Sequence, residues 1–295
     1  MAELILEALD IEFSYPDGTR ALKGLSLAIT RGKKVAVVGP NGAGKSTLFL
    51  HLNGILRPNR GKVRFAGKDV LYGHSALMEL RQNVGIVFQD PDTQLFSASV
   101  LQEISFGPLN LGLSRAEAML RVERAMDETD TLELKQKPTH LLSFGQKKLV
   151  AIAGILAMDP AVLIFDEPTA GLDPKHAAKT MDLLDRINKS GRTVVVSTHD
   201  VNLALAWADY IYVLIDGVIA KAGTPEQVFQ DDSLLIKAHL EKPWVLEVYG
   251  ELSKNGLFSG GTTPIPRTKA QLLACIGAAE KNCGHLQVST RKNDR

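Results

Sequence analysis

GPNGAGKST, residues 39–47, is the stretch whose reading decides the fold. It fits G-x-x-x-x-G-K-[ST], and its setting gives the match its weight. Before it runs VAVV, a β-branched stretch without polar alternation, which suits a strand buried on both faces of a parallel sheet. After it, STLFLHLNG reads as a helix closing at Gly54. A strand, a glycine-rich turn and a helix in this order make a phosphate cradle. Asn41, Gly42 and Gly44 let successive backbone N–H groups curl around phosphate oxygens, and the helix N-terminus adds positive potential. Lys45 is placed to reach the β- and γ-phosphates. The Ser46 hydroxyl is placed to bind Mg²⁺, with Thr47 close by.

Working outward, the same strand–loop pattern recurs. VLIFDEP, residues 162–168, ends a buried run on two carboxylates. At the C-terminal edge of the sheet, Asp166 can complete a Mg²⁺ shell, and Glu167 can orient or deprotonate an attacking water. STHD, residues 197–200, ends another apolar run and offers His199 to a γ-phosphate. Gln89, in IVFQDP, follows a strand-like run and can sense Mg²⁺ or water. LSFGQKK, residues 142–148, opens a helix whose apolar face is Leu149, Ile152, Ala153 and Leu156.

The remaining elements follow from pattern. Residues 4–15 and 21–30 read as strands around the turn signal PDG, and residues 62–70 as a further strand. Residues 90–158 read as mostly helical, with a capping box of Ser114 and Glu117. Residues 175–189 read as a crossover helix with Met181, Leu184 and Ile187 inward. YIYVLIDGVIAKAG reads as a hairpin turning at Asp216-Gly217. Beyond about residue 225 the pattern weakens. NGLFSGGTTPIP reads as a loop, TKAQLLACIGAAEK as a short amphipathic helix, and the last residues as a polar tail.

Composition excludes several classes. The 295 residues are 45% hydrophobic and 23% charged, with a net charge of +1, so no basic bias points to nucleic acid. Two cysteines, Cys275 and Cys283, make neither a disulfide framework nor a four-ligand zinc site, and read as reduced thiols. No apolar run reaches the ~18 residues of a membrane span, and the acidic N-terminus lacks the basic region of a signal peptide.

The order of motifs is P-loop, glutamine, LSFGQ, VLIFDEP, GLD at residues 171–173, then STHD. This order resembles the ATP-binding-cassette (ABC) ATPases over residues 3 to about 225. The resemblance implies an α/β fold, a RecA-like, mainly parallel sheet joined to an antiparallel β subdomain. A helical subdomain covers about residues 90–158 of the nucleotide-binding domain 1–225, and a small C-terminal extension covers 226–295. It implies an ATP hydrolase using Mg²⁺, and a sandwich dimer, either homodimeric or with a paralogous ATPase. In that dimer Ser143, Gly145 and Gln146 of one subunit face the γ-phosphate held by the P-loop of the other. Asp173 lies in the loop linking the two sites, and Tyr15 stacks on adenine. LSFGQ departs from the family's LSGGQ at Phe144, whose side chain is tolerable there if it points away from phosphate.

A narrower resemblance covers QDPDTQLFSASVLQEISFGPLNLGLS, residues 89–114, together with SFGQKK. It is similar to the ATPases of energy-coupling-factor importers, in particular the cobalt-type CbiO group, where a phenylalanine at position 144 is familiar. In that group the stretch after the glutamine forms a short helix, here about residues 92–96. It lines a groove for coupling helices of a membrane partner, and Leu95, Phe96 and Val100 would offer apolar contacts. The resemblance implies integral membrane partners: a CbiQ/EcfT-like transmembrane protein and a substrate-binding component. It places the chain peripherally at the cytoplasmic face of the cell membrane. The expected cargo is a transition-metal ion, cobalt or nickel. Vitamin uptake by a related module, and a non-transport ABC assembly ATPase, stand as alternatives. A DNA-repair ATPase would need a long coiled coil between P-loop and signature, which is absent here.

Overall fold

The computed structural model describes residues 3–258 and 264–289, with backbone alone over 280–289. The Cys283 side chain, residues 259–263 of the glycine-rich stretch and the tail 290–295 therefore lie outside the described residues.

The chain opens with two antiparallel strands, β1 (Leu4–Ser14) and β2 (Arg20–Thr30). β3 (Lys34–Val38) leads into helix α1 (Lys45–Leu52). β4 (Arg60–Phe65), β5 (Lys68–Asp69), α2 (His74–Asn83) and β6 (Val84–Val87) follow. Three helices come next: α3 (Val100–Asn110), α4 (Arg115–Glu128) and α5 (Phe144–Leu156). Then β7 (Val162–Phe165), α6 (Pro174–Lys189), β8 (Thr193–Thr198), α7 (Val201–Trp207), β9 (Tyr210–Ile215) and β10 (Val218–Gly223) complete the sheets. Four helices close the chain: α8 (Pro225–Phe229), α9 (Asp232–Lys237), α10 (Trp244–Lys254) and α11 (Lys269–Ser289).

Two sheets result. One has four strands in the order β2-β1-β4-β5. The other has six in the order β10-β9-β3-β8-β7-β6. In the second sheet β9, β3, β8, β7 and β6 run parallel, and β10 pairs antiparallel with β9. The continuous apolar runs are explained by burial on both faces. In β3, Val35 and Val37 join a core shared with the first sheet and α1, whereas Ala36 and Val38 join the core under α5 and α6. β7 divides the same way, Val162 and Ile164 against Leu163 and Phe165.

The C-terminal segment packs on this second core. Val228, Phe229, Leu235, Val245, Leu246 and Leu272 belong to it. Arg267 pairs with Glu226 and donates to the Ala208 carbonyl, tying the approach to α11 to α7 and α8.

The structure differs from the sequence reading at several elements. Residues 62–70 form a hairpin rather than one strand, because Ala66 and Gly67 both take positive φ (47° and 77°) and reverse the chain. The stretch 92–96 holds one 3₁₀ turn, Pro91–Thr93, capped by the Asp90 carboxylate. Pro91 begins that turn, and the chain then leaves helical geometry. Helix α11 is 21 residues long rather than short, and Thr268 and Gln271 cap its start reciprocally. In α6, Leu183 and Thr180 are buried beside Leu184 and Ile187, and Met181 is only partly buried. No described helix is long and apolar enough to cross a membrane.

Candidate nucleotide site at the sheet edge

Parallel pairing brings four loops to one edge. β3, β8, β7 and β6 all end there, with Val38 opposite Thr198, Phe165 opposite Val196 and Val87 opposite Phe165. The P-loop, Ser197 to His199, Asp166 with Glu167, and Gln89 follow directly from those strand ends.

The P-loop conformation depends on glycine. Gly39 has φ 155°, and a Cβ there would lie 2.1 Å from the Leu214 carbonyl oxygen. Gly44 has φ 105° and caps α1 without any side-chain hydrogen bond to its first turn. Its Cβ would meet the Ala21 oxygen at 2.8 Å. The first-turn N–H groups of α1 therefore have no competing side chain and form an anion site. Asn41, Gly42 and Ser46 are exposed on this loop. The Lys45 ammonium is buried and donates to the carbonyls of Gly39 (2.7 Å) and Pro40 (3.0 Å). Burial lowers its pKa, with the negative Glu167 and Asp166 opposing the shift. Tyr15 stands beside this helix, its hydroxyl 3.0 Å from the Thr47 hydroxyl and its ring edge-on to Phe13.

The carboxylate loop is held by β8. The Ser197 hydroxyl donates to Asp166 Oδ1 (2.5 Å) and accepts the Glu167 N–H (2.9 Å). Glu167 has φ 46°, a left-handed conformation that a glutamate adopts only when its surroundings hold it. Its carboxylate is 3.1 and 3.2 Å from His199 Nδ1. Asp166 and Glu167 are both buried, and His199 reaches toward solvent. Ser197 was only part of a quoted motif in the sequence; its double role depends on the register between β7 and β8.

Gln89 is exposed at the end of β6. The loop beyond it is tied by Gln94, whose side chain accepts the Phe88 N–H and donates to the Ile86 carbonyl. Buried Glu103 accepts the N–H groups of Phe96 and Ser97. Asp166 (carboxylate), Ser46 (hydroxyl) and Gln89 (amide) are hard oxygen donors of the kind that suit Mg²⁺, which takes few protein ligands and keeps phosphate and water oxygens. Among the described residues no three His, Cys, Asp or Glu side chains converge as an all-protein metal site.

The signature stretch lies elsewhere. Ser143 and Gln146 cap their own helix reciprocally. Among the described residues no hydrogen bond or ion pair joins residues 143–146 to residues 39–47. Gly145 faces Leu172 and His176, where a Cβ would meet ordinary contact distances of 3.7 Å. Asp173 caps α6 and accepts from His176 Nδ1, and the backbone N–H of His176 leads in lowering its pKa. The Phe144 ring packs on Gly171, whose Cβ would meet it at 2.9 Å. Two lysines follow. Lys147 pairs with Asp92 at 2.6 Å. Lys148 is 2% exposed and donates to the carbonyls of Glu167 (3.1 Å) and Ala170 (3.3 Å). Burial lowers the Lys148 pKa to about 8, with Glu167, Asp166 and Asp90 opposing. The sequence reading assigned neither lysine a role.

The ABC transporter family model matches residues 22–170. The energy-coupling factor transporter ATP-binding protein EcfA of Methanocaldococcus jannaschii is 51% identical over 250 residues, covering 85% of this chain and 90% of that protein. The chain belongs to the ABC transporter ATPases, in their energy-coupling-factor group. A solved structure of cbiO1 from Clostridium perfringens, part of the ABC transporter complex cbiONQ, is 45% identical with a TM-score of 0.72. It covers 85% of this chain and 99% of that one. A dimeric ATP-binding cassette in a post-hydrolysis state, bound to ADP and Pi, is 28% identical with a TM-score of 0.68 and covers 75% and 99%. This ABC ATPase is thus an ATP hydrolase.

Beside α5 lies an apolar groove of about 500 Å³ lined by Met78, Leu95, Phe96, Phe106, Ile155 and Met158. Phe96 is 66% exposed and meets Phe106 edge-on at 4.7 Å. Val100, expected to face a partner, is 0% exposed and packs in the helical core. Ser99 caps α3, and the Val100 N–H donates to the Lys137 carbonyl, which ties the start of the helix to the neighbouring loop.

Proposed function

We propose that the chain energises an energy-coupling-factor importer of a transition-metal ion, cobalt or nickel, by ATP-driven closure of a dimer. The observation that carries the dimer is that residues 143–146 make no hydrogen bond or ion pair with residues 39–47 of their own chain among the described residues. Each chain offers a phosphate cradle and, elsewhere, the N-terminus of α5. A second copy, or a paralogous ATPase, brings the two together across ATP. The dimeric cassette with ADP and Pi supports that arrangement.

In the closed site Lys45 and the α1 N-terminus hold the phosphates. Tyr15 stacks on adenine. Glu167 orients and deprotonates the attacking water in line with the γ-phosphorus, and His199 donates to the γ-phosphate while steadying Glu167. Ser46, Asp166 and Gln89 hold Mg²⁺, which neutralises phosphate charge when bound. Ser143, Gly145 and Gln146 of the partner complete the clamp. Release after hydrolysis opens the dimer.

The groove with Leu95, Phe96 and Phe106 receives helices of the membrane partners, a CbiQ/EcfT-like transmembrane protein among them. This places the chain at the cytoplasmic membrane face. The metal cargo rests on the resemblance of residues 89–114 and SFGQKK to the cobalt-type group, and vitamin uptake by a related module stands as the second reading. The test is to pull down the integral membrane partners and assay transport of Co²⁺, Ni²⁺ and vitamins in the reconstituted complex. ATP-dependent uptake of Co²⁺ or Ni²⁺ is expected. Uptake of a vitamin alone contradicts the metal reading, and absence of membrane partners favours a soluble assembly ATPase.

A further inference from the structure

Glu167 carries its catalytic role on an unfavourable backbone. Its φ of 46° places it where non-glycine residues stay only when their surroundings hold them. Both of its peptide groups are pinned by side chains. Ser197 from β8 accepts its N–H, and Lys148 from α5 donates to its carbonyl. The same ammonium bonds the Ala170 carbonyl, so it spans the turn after the carboxylate. The Phe144 ring lies 5.7 Å from the Lys148 ammonium and covers Gly171. Residues 144 and 148 are one helical turn apart, so a single face of α5 grips the segment from Glu167 to Gly171.

We infer that Lys148 is a positioning residue for Glu167: from the signature helix it fixes the backbone that aims the catalytic carboxylate of its own site. The inference rests on the reading of Glu167 as the catalytic base. It has a mechanical consequence. The N-terminus of α5 clamps ATP in the partner's cradle, while Lys148, at its fifth residue, sets Glu167 in its own. A displacement of α5 on closure at one site therefore reaches the carboxylate of the other, which makes the two sites cooperative.

The chemistry calls for a charged donor on a long stem. A buried ammonium can satisfy two carbonyls at once, and such charge-assisted hydrogen bonds are stronger than neutral ones. A methionine fills the same space without donating. An arginine keeps charge and donors.

The test compares Lys148→Met, Lys148→Arg and Glu167→Gln in the full chain, measuring kcat, KM for ATP, the Hill coefficient and Tm. Lys148→Met is expected to lower kcat about tenfold or more at nearly unchanged KM, and to bring the Hill coefficient toward unity. Lys148→Arg is expected to recover most of the rate. In a Glu167→Gln background, Lys148→Met should add no further loss, because it acts through the missing carboxylate. Wild-type kcat in Lys148→Met, or equal damage from Met and Arg, overturns the inference. If Lys148→Met does not fold, Lys148→Gln replaces it: the same drop supports the inference and wild-type turnover overturns it. If Glu167→Gln itself keeps normal turnover, the reading of Glu167 falls and the inference with it. A dead Glu167→Gln beside an active Lys148→Met removes the inference alone.

Discussion

Phe144 illustrates how a departure from a motif is absorbed by its neighbours. Its ring turns onto Gly171 of its own chain, while Ser143 and Gln146 cap the start of α5. Gly171 has φ 74° and no room for a Cβ, so Gly171→Ala should displace the ring and strain the turn together. We expect a lower Tm and a lower kcat from it; an unchanged protein would show that the ring contact is idle. Phe144→Gly tests the ring directly. A large rise in ATPase rate is expected if the ring restrains closure, and an unchanged rate would mean it merely packs. At the P-loop, Lys45→Ala removes the buried cation. ATP turnover should fall at least about a hundredfold, and full activity would defeat the phosphate-cradle reading.

At the scale of elements, what was legible in the sequence is what chemistry or burial writes locally. The P-loop, the DE pair and the strand runs each carry their reason within a few residues. The Ser114–Glu117 capping box is present in both side-chain bonds. Ser114→Ala should cost about 1 kcal/mol, read as a small fall in Tm. Helix α2 was missed because it has no such signal: Gly73 caps it without a side chain, its first turn carries no acid, and only Leu80 is buried. The hairpin at Ala66-Gly67 was missed because alanine is not a turn former, yet it takes φ 47° there. Lys148 was illegible for a different reason. A lysine pair on a helix reads as solvated, and its acceptor, the Glu167 carbonyl, lies 19 residues away. Only the fold brings them together.

At the scale of the whole molecule, two cores hold the main sheet between them, and Val150, Ala151, Gly154 and Ile155 of α5 line the groove. Leu184, fully buried under that sheet, should cost about 2–5 kcal/mol as Leu184→Ala, a large fall in Tm. Phe96 belongs to the groove rather than the core. Phe96→Glu is therefore expected to leave Tm and basal ATPase near wild type while abolishing co-purification with the membrane partner; retained binding would place the partner elsewhere. The loop beside it is linked through α5 to the segment after β7, since Lys147 holds Asp92 and Lys148 holds the Glu167 carbonyl.

In the proposed cycle ATP joins two chains, and Glu167 drives their separation by hydrolysis. The direct measurement is the solution mass of Glu167→Gln with and without Mg-ATP, alongside its turnover. A stable dimer in Mg-ATP, a monomer without it, and turnover reduced about a hundredfold or more are expected. A protein that stays monomeric in Mg-ATP, or that hydrolyses ATP at the wild-type rate, would contradict that cycle.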